Sequence, residues 1–399
     1  MCSVSGLLGL CIPRNAGNVR TRRNPKQTEP QRTQGNTEGI FGFMGTLDVM
    51  RYRGRFEKTR KPVLKDIRVS SWRLWSMGVL GLTTLSVTLA ACSSRKDAES
   101  PTRPAAKTET ANSSAPAAPT VEAGAAPRIN APRAMQYTKE VVAFGARPIG
   151  SANHKKLEEY ILGHLKGDEV TDDSFVADTV EGKFPVRNII AKYPGTKDRI
   201  IVIAGHYDTN YPLRDTGFVG ANDGGASTAI LLEFANQLRG KKRDGYSVWL
   251  LWTDGEEAVR TWNMDNDAVY GTKHLAQKWQ ADGTNKKIKA FLLADMIGDA
   301  DLNIEREANS TPWLEDLVLQ AATRLGYQSH FFARTLAVED DHIPFAKLGV
   351  PTADVIDLEY GYGNVFHHTN QDTLDKLSPK SLQIAGDVIL QTVWMLDAR

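Results

Sequence analysis

Five short segments of this chain carry side chains whose types and spacing suit metal-assisted acid–base chemistry. They are Gly205-His206-Tyr207-Asp208, Gly220-Ala221-Asn222-Asp223-Gly224-Gly225, Asp254-Gly255-Glu256-Glu257, the lone Asp295, and Phe366-His367-His368-Thr369. Imidazoles at His206 and His368 together with carboxylates at Asp223, Glu257 and Asp295 suit zinc or a similar transition ion. Calcium and magnesium prefer shells made of oxygen alone. Asp208 follows His206 by two positions, so in extended backbone both side chains share a face. It is expected to accept the second N–H of that imidazole and fix its tautomer. Glu256 and Glu257 are adjacent, so their carboxylates point apart: one is free to bind metal while the other moves protons. Spacing alone does not say which of His367 and His368 faces the ion. The competing reading of any one segment is a solvated acidic turn.

The elements around these segments argue for a site. Apolar, branched runs at 186–193, 199–204 (RIIVIA), 247–252 (SVWLLW), 289–294 (KAFLLA) and 353–358 read as strands. Spacing of three and four at 134–144, 153–165, 227–238, 311–325 and 381–396 reads as amphipathic helices. Strands and helices in alternation imply an α/β sandwich around a largely parallel or mixed sheet. RIIVIA runs into His206, SVWLLW into Glu256 and Glu257, KAFLLA into Asp295, and the last strand leads through a loop to His368. In open α/β sheets, ligand sites form at the carboxyl ends of strands. One polar cluster there is often chance; a cluster at each of these ends is a site.

The rest of the chain is organised differently. Of 399 residues, 1–70 form a basic extension, 71–92 read as a signal segment, 93–128 are a Ser/Ala/Pro/Thr-rich tether and 129–399 are the globular domain. Arginines precede an apolar run that stops at Leu89-Ala90-Ala91-Cys92, which resembles a bacterial lipobox. Lipidation of Cys92 is expected to attach the protein to a membrane after export, with the bacterial cell envelope as its place. The tether has too few large apolar residues to offset the entropy of ordering. Net charge is only +2, so no nucleic-acid partner is expected. The three cysteines (Cys2, Cys11, Cys92) leave the globular part without a disulfide or cysteine metal site. Oligomeric state leaves no signal in the sequence.

These motifs resemble the zinc aminopeptidase family and, more narrowly, its glutaminyl cyclase branch, over residues 130–399. The general pattern is met by GHYD, GANDGGAS, the paired glutamates, Asp295 and His368-Thr369. The narrower likeness lies in Phe218-Val219-Gly220-Ala221, in DGEEA followed by Trp262 and the Val269–Ala276 stretch, and in Asp340-Asp341-His342-Ile343-Pro344-Phe345 with Gly349-Val350-Pro351. The resemblance implies a three-layer sandwich with a central mixed, mostly parallel sheet. It implies one catalytic zinc held by Asp223, Glu257 and His368, with an open fourth position. Glu256 would carry a proton from the substrate α-amine to leaving ammonia. Asp295 and Asp340 would form a hydrogen-bonded carboxylate pair steadying the reacting amide nitrogen. Trp262 would wall the glutamine pocket. Asp341, read from the residues alone, either ligates or orients, and is placed among the groups that support the ligands. The histidine matching His206 is kept in the cyclases without binding metal.

Some positions depart from the cyclase pattern. His367 stands where the cyclases carry Trp, Asp354 where they carry a further pocket histidine, and Asn210 where the animal enzymes carry Lys. The expected activity is closure of N-terminal glutamine of peptides or proteins into pyroglutamate. The first alternative is a two-zinc aminopeptidase, in which His206 and Asp295 help hold a second ion. The other is an inactive surface lipoprotein that binds peptides.

Overall fold

Alternation of apolar residues along the central strands decides the architecture. In the computed structural model, which describes residues 125–399, the strands are β1 (Glu169–Thr179), β2 (Gly182–Tyr193), β3 (Lys197–His206), β4 (Tyr246–Thr253), β5 (Ile288–Asp295), β6 (Ile304–Glu307), β7 (Phe331–Leu336) and β8 (Thr352–Ile356). The helices are α1 (Ala131–Val142), α2 (Ala152–His164), α3 (Gly225–Leu238), α4 (Tyr270–Asp282), α5 (Pro312–Leu325), α6 (Ile343–Ala346) and α7 (Pro379–Asp397). The basic extension, the apolar run with Cys92 and the tether up to residue 124 lie outside the described residues. The tether's last residues are described: Ala126 donates to Gln391, and Arg128 pairs with Asp387, both on α7. No described helix is long and apolar enough to cross a membrane.

Ile201 and Ile203 of β3 face one side of the sheet, while Ile200, Val202 and Ala204 face the other. Leu250 and Trp252 oppose Leu251 on β4, and Leu292 and Ala294 oppose Phe291 and Leu293 on β5. A strand covered on both faces reads as an unbroken apolar run, which is why these strands were legible. One face packs on α1, α2, α3, α5 and α7; the other packs on α4 and α6 through Leu275, Trp279 and Phe345. Three layers result.

The main sheet runs β1-β2-β4-β3-β5-β8, and β6 pairs with β7 separately. β4, β3, β5 and β8 are mutually parallel, while β1 and β2 add an antiparallel edge. The expected mixed, mostly parallel sheet is therefore observed. Because those four strands share one direction, their carboxyl ends lie along a single edge, with His206, the Glu256 loop and Asp295 side by side. Strand β1 gave no sequence signal for a physical reason: only Asp173 and Ala177 of its eleven residues are buried, so it has no apolar face. Helix α4 is weakly amphipathic, and β6 is too short for a period to show.

Candidate active site

Two glycine-dependent turns bring the loop of Asp223 to the sheet edge. Gly220 and Gly224 have φ of 51° and 81°, and a Cβ at Gly224 would lie 2.5 Å from the Asp208 carbonyl oxygen. Only glycine fits there. The loop is tied down twice. Asp372 accepts hydrogen bonds from the backbone N–H groups of Asn222 (2.8 Å) and Asp223 (3.2 Å). The buried Arg147 guanidinium donates to the carbonyl oxygens of Gly145, Val219 and Gly220. Burial lowers Arg147 to about 10 against the pull of Asp372, Asp223 and Asp208.

The glutamate loop is fixed by groups the sequence assigned differently. Asp208 lies 3.7 Å from His206 Nδ1, too far for the tautomer-fixing bond expected of it. It accepts instead from the backbone N–H groups of Glu256 and Glu257, each at 3.2 Å. Neighbouring Asp254 accepts from Arg187 N–H at 2.7 Å and bonds His154 Nε2 at 2.6 Å. These bonds set where the two glutamate side chains begin.

The donors then converge. His368 Nε2 lies 3.1 Å from Glu257 Oε1 and 3.3 Å from Asp223 Oδ2. Ligands bound at about 2.0 Å around a tetrahedral zinc stand roughly 3.3 Å apart, so this spacing fits one ion. Asp223 Oδ2 is buried without a hydrogen-bond partner, an orphan that a cation would satisfy. Asn210 donates to Glu257 Oε2 at 2.8 Å, leaving Oε1 for the ion. His368 itself has φ of 51°, a strained value for a residue with a Cβ.

Three other donor groups have atoms within 4.8 Å of one another: Asp223-His367-His368, His206-Asp223-Asp295 and, away from the cavity, His154-Glu158-Asp254. The first competes with Glu257 for the same ion. We favour Glu257, which is buried with Oε1 3.1 Å from His368 Nε2, whereas His367 Nδ1 is engaged at 3.1 Å by Asn364. In the second, His206 Nε2 is 3.2 Å from both Asp223 Oδ1 and Asp295 Oδ1, and its Nδ1 has no partner.

Glu256 opens onto a cavity of about 430 Å³ lined also by Asp223, Trp262, Asp295, Asp340, His367 and His368. Trp262 is 37% exposed at its mouth. Its loop is held by Asp267, which accepts from Val259, Arg260 and Thr261 N–H groups and from the Tyr270 hydroxyl. Asp341 points away and bonds the Thr253 and Thr272 hydroxyls, so it braces the loop from behind. No hydrogen bond joins Asp295 to Asp340 among the described residues. Asp295 Oδ1 accepts from Met296 N–H at 2.8 Å, and Asp340 Oδ1 accepts from Asp341 N–H at 2.5 Å.

The electrostatics follow from burial. Burial pushes Glu256 well above the usual carboxylate range, with Asp340, Glu257 and Asp341 adding to it against the pull of His206. Burial likewise lifts Glu257 to about 7. Burial opposes the charge on His368, but Glu257 and Asp223 outweigh it and hold the ring near 11. Asp223 is held well below its ordinary range by His206 and His368 despite burial. A carboxyl poised upward inside a cavity suits proton transfer near neutral pH.

Asp372, Arg147, His154 and Asp254 are the supporting residues that sequence reading passed over. Asp372 had a signal, since it closes the HTNQDT segment; Arg147 and His154 lie far from any motif.

A sandwich with acidic and imidazole donors gathered at the carboxyl edge of its parallel strands is built for metal-assisted catalysis. The peptidase family M28 model matches residues 188–393. The chain is 31% identical to a glutaminyl-peptide cyclotransferase of Drosophila melanogaster over 241 residues, which is 54% of this chain and 68% of that protein. Among solved structures, an Acidobacteriales bacterium glutaminyl cyclase superposes with a TM-score of 0.67 at 50% identity, covering 71% of this chain and 99% of that one. A Porphyromonas gingivalis glutaminyl cyclase gives 0.61 at 27% identity, covering 66% and 98%. The chain belongs to peptidase family M28, in its glutaminyl cyclase branch.

Proposed function

We propose that this protein converts the N-terminal glutamine of peptides and proteins into pyroglutamate, releasing ammonia. The observation that carries the reading is one cavity holding Glu256, Trp262, Asp340 and the metal donors Asp223 and His368 together. Asp223, Glu257 and His368 would hold one zinc, which when bound supplies Lewis-acid polarisation of the γ-carbonyl. Glu256 takes a proton as the α-amine nitrogen bonds to the γ-carbon. It returns that proton to the departing amide nitrogen, and the carbon–nitrogen bond to ammonia breaks. Both reacting groups belong to one residue, so the site need only hold its conformation. Trp262 and His367 wall that conformation, and Asp295 and Asp340 accept from the amide nitrogen as it gains hydrogen.

One observation favours a second reading. His206, Asp223 and Asp295 form a complete donor group of their own, as a two-zinc aminopeptidase requires. Incubating the zinc-loaded protein with a glutaminyl and a leucyl peptide separates the two. Ammonia release without free amino acid supports the cyclase; free leucine overturns it. Zinc stoichiometry on the same sample reports one ion or two. We further propose lipidation at Cys92 and a place on the bacterial envelope, supported by the LAAC sequence. Mass spectrometry of the mature N-terminus tests this, and an unmodified Cys92 sinks it.

A further inference from the structure

Glu256 must sit at a fixed point, yet its carboxyl accepts no hydrogen bond from any group among the described residues. His206 Nδ1, 3.8 Å from Oε2, is too far. The residue before it, Gly255, has φ of 63°, a conformation that glycine adopts freely and other residues rarely. The place of the carboxyl is therefore set by whatever grips the turn on either side of Gly255. Beyond it, Asp208 takes the Glu256 and Glu257 N–H groups, and the Val269 and Tyr270 N–H groups reach the carbonyl oxygens of Glu256 and Gly255, each at 2.7 Å. Ahead of it, the turn rests on Asp254.

Asp254 is held in a closed circuit of four residues. Buried His154, on α2, donates from Nε2 to Asp254 Oδ1 at 2.6 Å. Asp254 Oδ2 accepts the Arg187 N–H of β2 at 2.7 Å, and the Arg187 carbonyl oxygen accepts from the Tyr207 hydroxyl at 2.9 Å. The Tyr207 ring then stacks on His154, with centroids 5.0 Å apart and planes at 21°. Glu158, one turn further along α2, lies 3.3 Å from His154 Nδ1 and orients the ring. These residues include a donor group that could in principle hold a cation. The 2.6 Å separation argues otherwise: it is a short, charge-assisted hydrogen bond, well inside the roughly 3.3 Å between ligands on a tetrahedral zinc. A proton, and no ion, joins His154 to Asp254.

We infer that His154 is a positioning residue: its Nε2–H fixes Asp254 and, through Asp254, the turn that places Glu256 beside the reacting amine. The assignment rests on the cyclase reading for what Glu256 does, though not for what holds its turn. The competing role for His154 is packing alone, as a ring against Tyr207. Two substitutions separate donor from ring. His154→Gln keeps an N–H donor near the same point and loses the ring; His154→Phe keeps a ring and loses the donor.

The test uses the zinc-loaded protein and both variants, with zinc content and Tm measured first. His154→Phe should lose roughly tenfold or more in kcat at little change in KM, while His154→Gln stays within about threefold of the parent. Amide hydrogen exchange at Glu256 and Glu257, taken without substrate, should speed up by about tenfold or more in His154→Phe and stay near the parent in His154→Gln. The amides of Ile201, Val202 and Ile203 in β3 are the reference and should not change. Equal losses in the two variants, or a parent-like His154→Phe, would overturn the assignment, as would an effect confined to KM or zinc content. Faster exchange in β3 as well would make His154 a support of the whole fold and overturn it too. Should His154→Phe not fold, His154→Leu takes its place under the same criteria, and failure of both counts against the assignment. The exchange arm needs no turnover, so it decides the role of His154 even if the parent proves not to be a cyclase.

Discussion

Two sides of one cavity solve opposite electrostatic problems. On the donor side, Asp223 and Glu257 converge on His368, and each is braced by hydrogen bonds from its own surroundings: Asp372 through backbone, Asn210 through Glu257 Oε2. On the acid side, Asp295, Asp340 and Asp354 crowd together with few donors, and burial pushes Asp340 well above its ordinary range. The first arrangement is shaped for a cation and the second for protons. Glu256 stands between them, which is where a group that exchanges protons beside a metal belongs.

The largest expected effect breaks the donor side. His368→Ala removes the nitrogen shared by Asp223 and Glu257, so zinc retained after dialysis should fall below about 0.1 per chain and turnover should vanish with it. Full zinc content in that variant would show that Glu257 and Asp223 are not partners of His368. Glu256→Gln should leave zinc in place and reduce kcat by roughly 10²–10⁴, because the amide keeps the shape and loses the basicity. A Gln variant within tenfold of the parent would assign proton transfer to another acid. Asp372→Ala leaves every ligand intact but frees the Asn222 and Asp223 backbone. It should weaken zinc affinity by about 10–100-fold in a competitive chelator titration. Unchanged affinity would mean that Arg147 holds the loop alone.

The donor side was far more legible in sequence than the acid side, and the reason is physical. Asp223, Glu257 and His368 follow buried strands or begin a buried helix, so apolar runs point directly to them. Glu256 is found by adjacency to Glu257. Asp354 sits inside strand β8, where an acid among apolar neighbours has no motif around it and only its departure from a family pattern marks it. Asp208 was placed on the right face, yet its partner was misread, because strand periodicity cannot anticipate a loop folding its backbone N–H groups onto a carboxylate. Strand β1 and the β6–β7 pair are set by pairing across the chain rather than by local pattern, and so left no trace.

The smallest effect sharpens the acid side by asking what crowding carboxyls does to stability. Asp357, just past β8, is fully buried; Oδ2 accepts from Asn303 N–H at 2.8 Å, while Oδ1 has no partner. Burial first, then Glu305, Asp299 and Asp301, raises it to about 8. A folded pKa above the unfolded one contributes stability that is complete below about pH 4 and is lost as pH climbs toward 8. Asparagine keeps an oxygen for Asn303 and never ionises. Asp357→Asn should therefore match the parent at pH 4 and exceed it at pH 8 by roughly 2–5 kcal/mol, the upper figure being the full shift at about 1.4 kcal/mol per unit. That corresponds to about 4–10 °C in Tm by calorimetry for a domain of this size. An equal Tm difference at both pH values would locate the effect in packing. A variant less stable at pH 8 would mean that the carboxylate is stabilised in the fold, and the contrast between the two sides of the cavity would then stop at its wall.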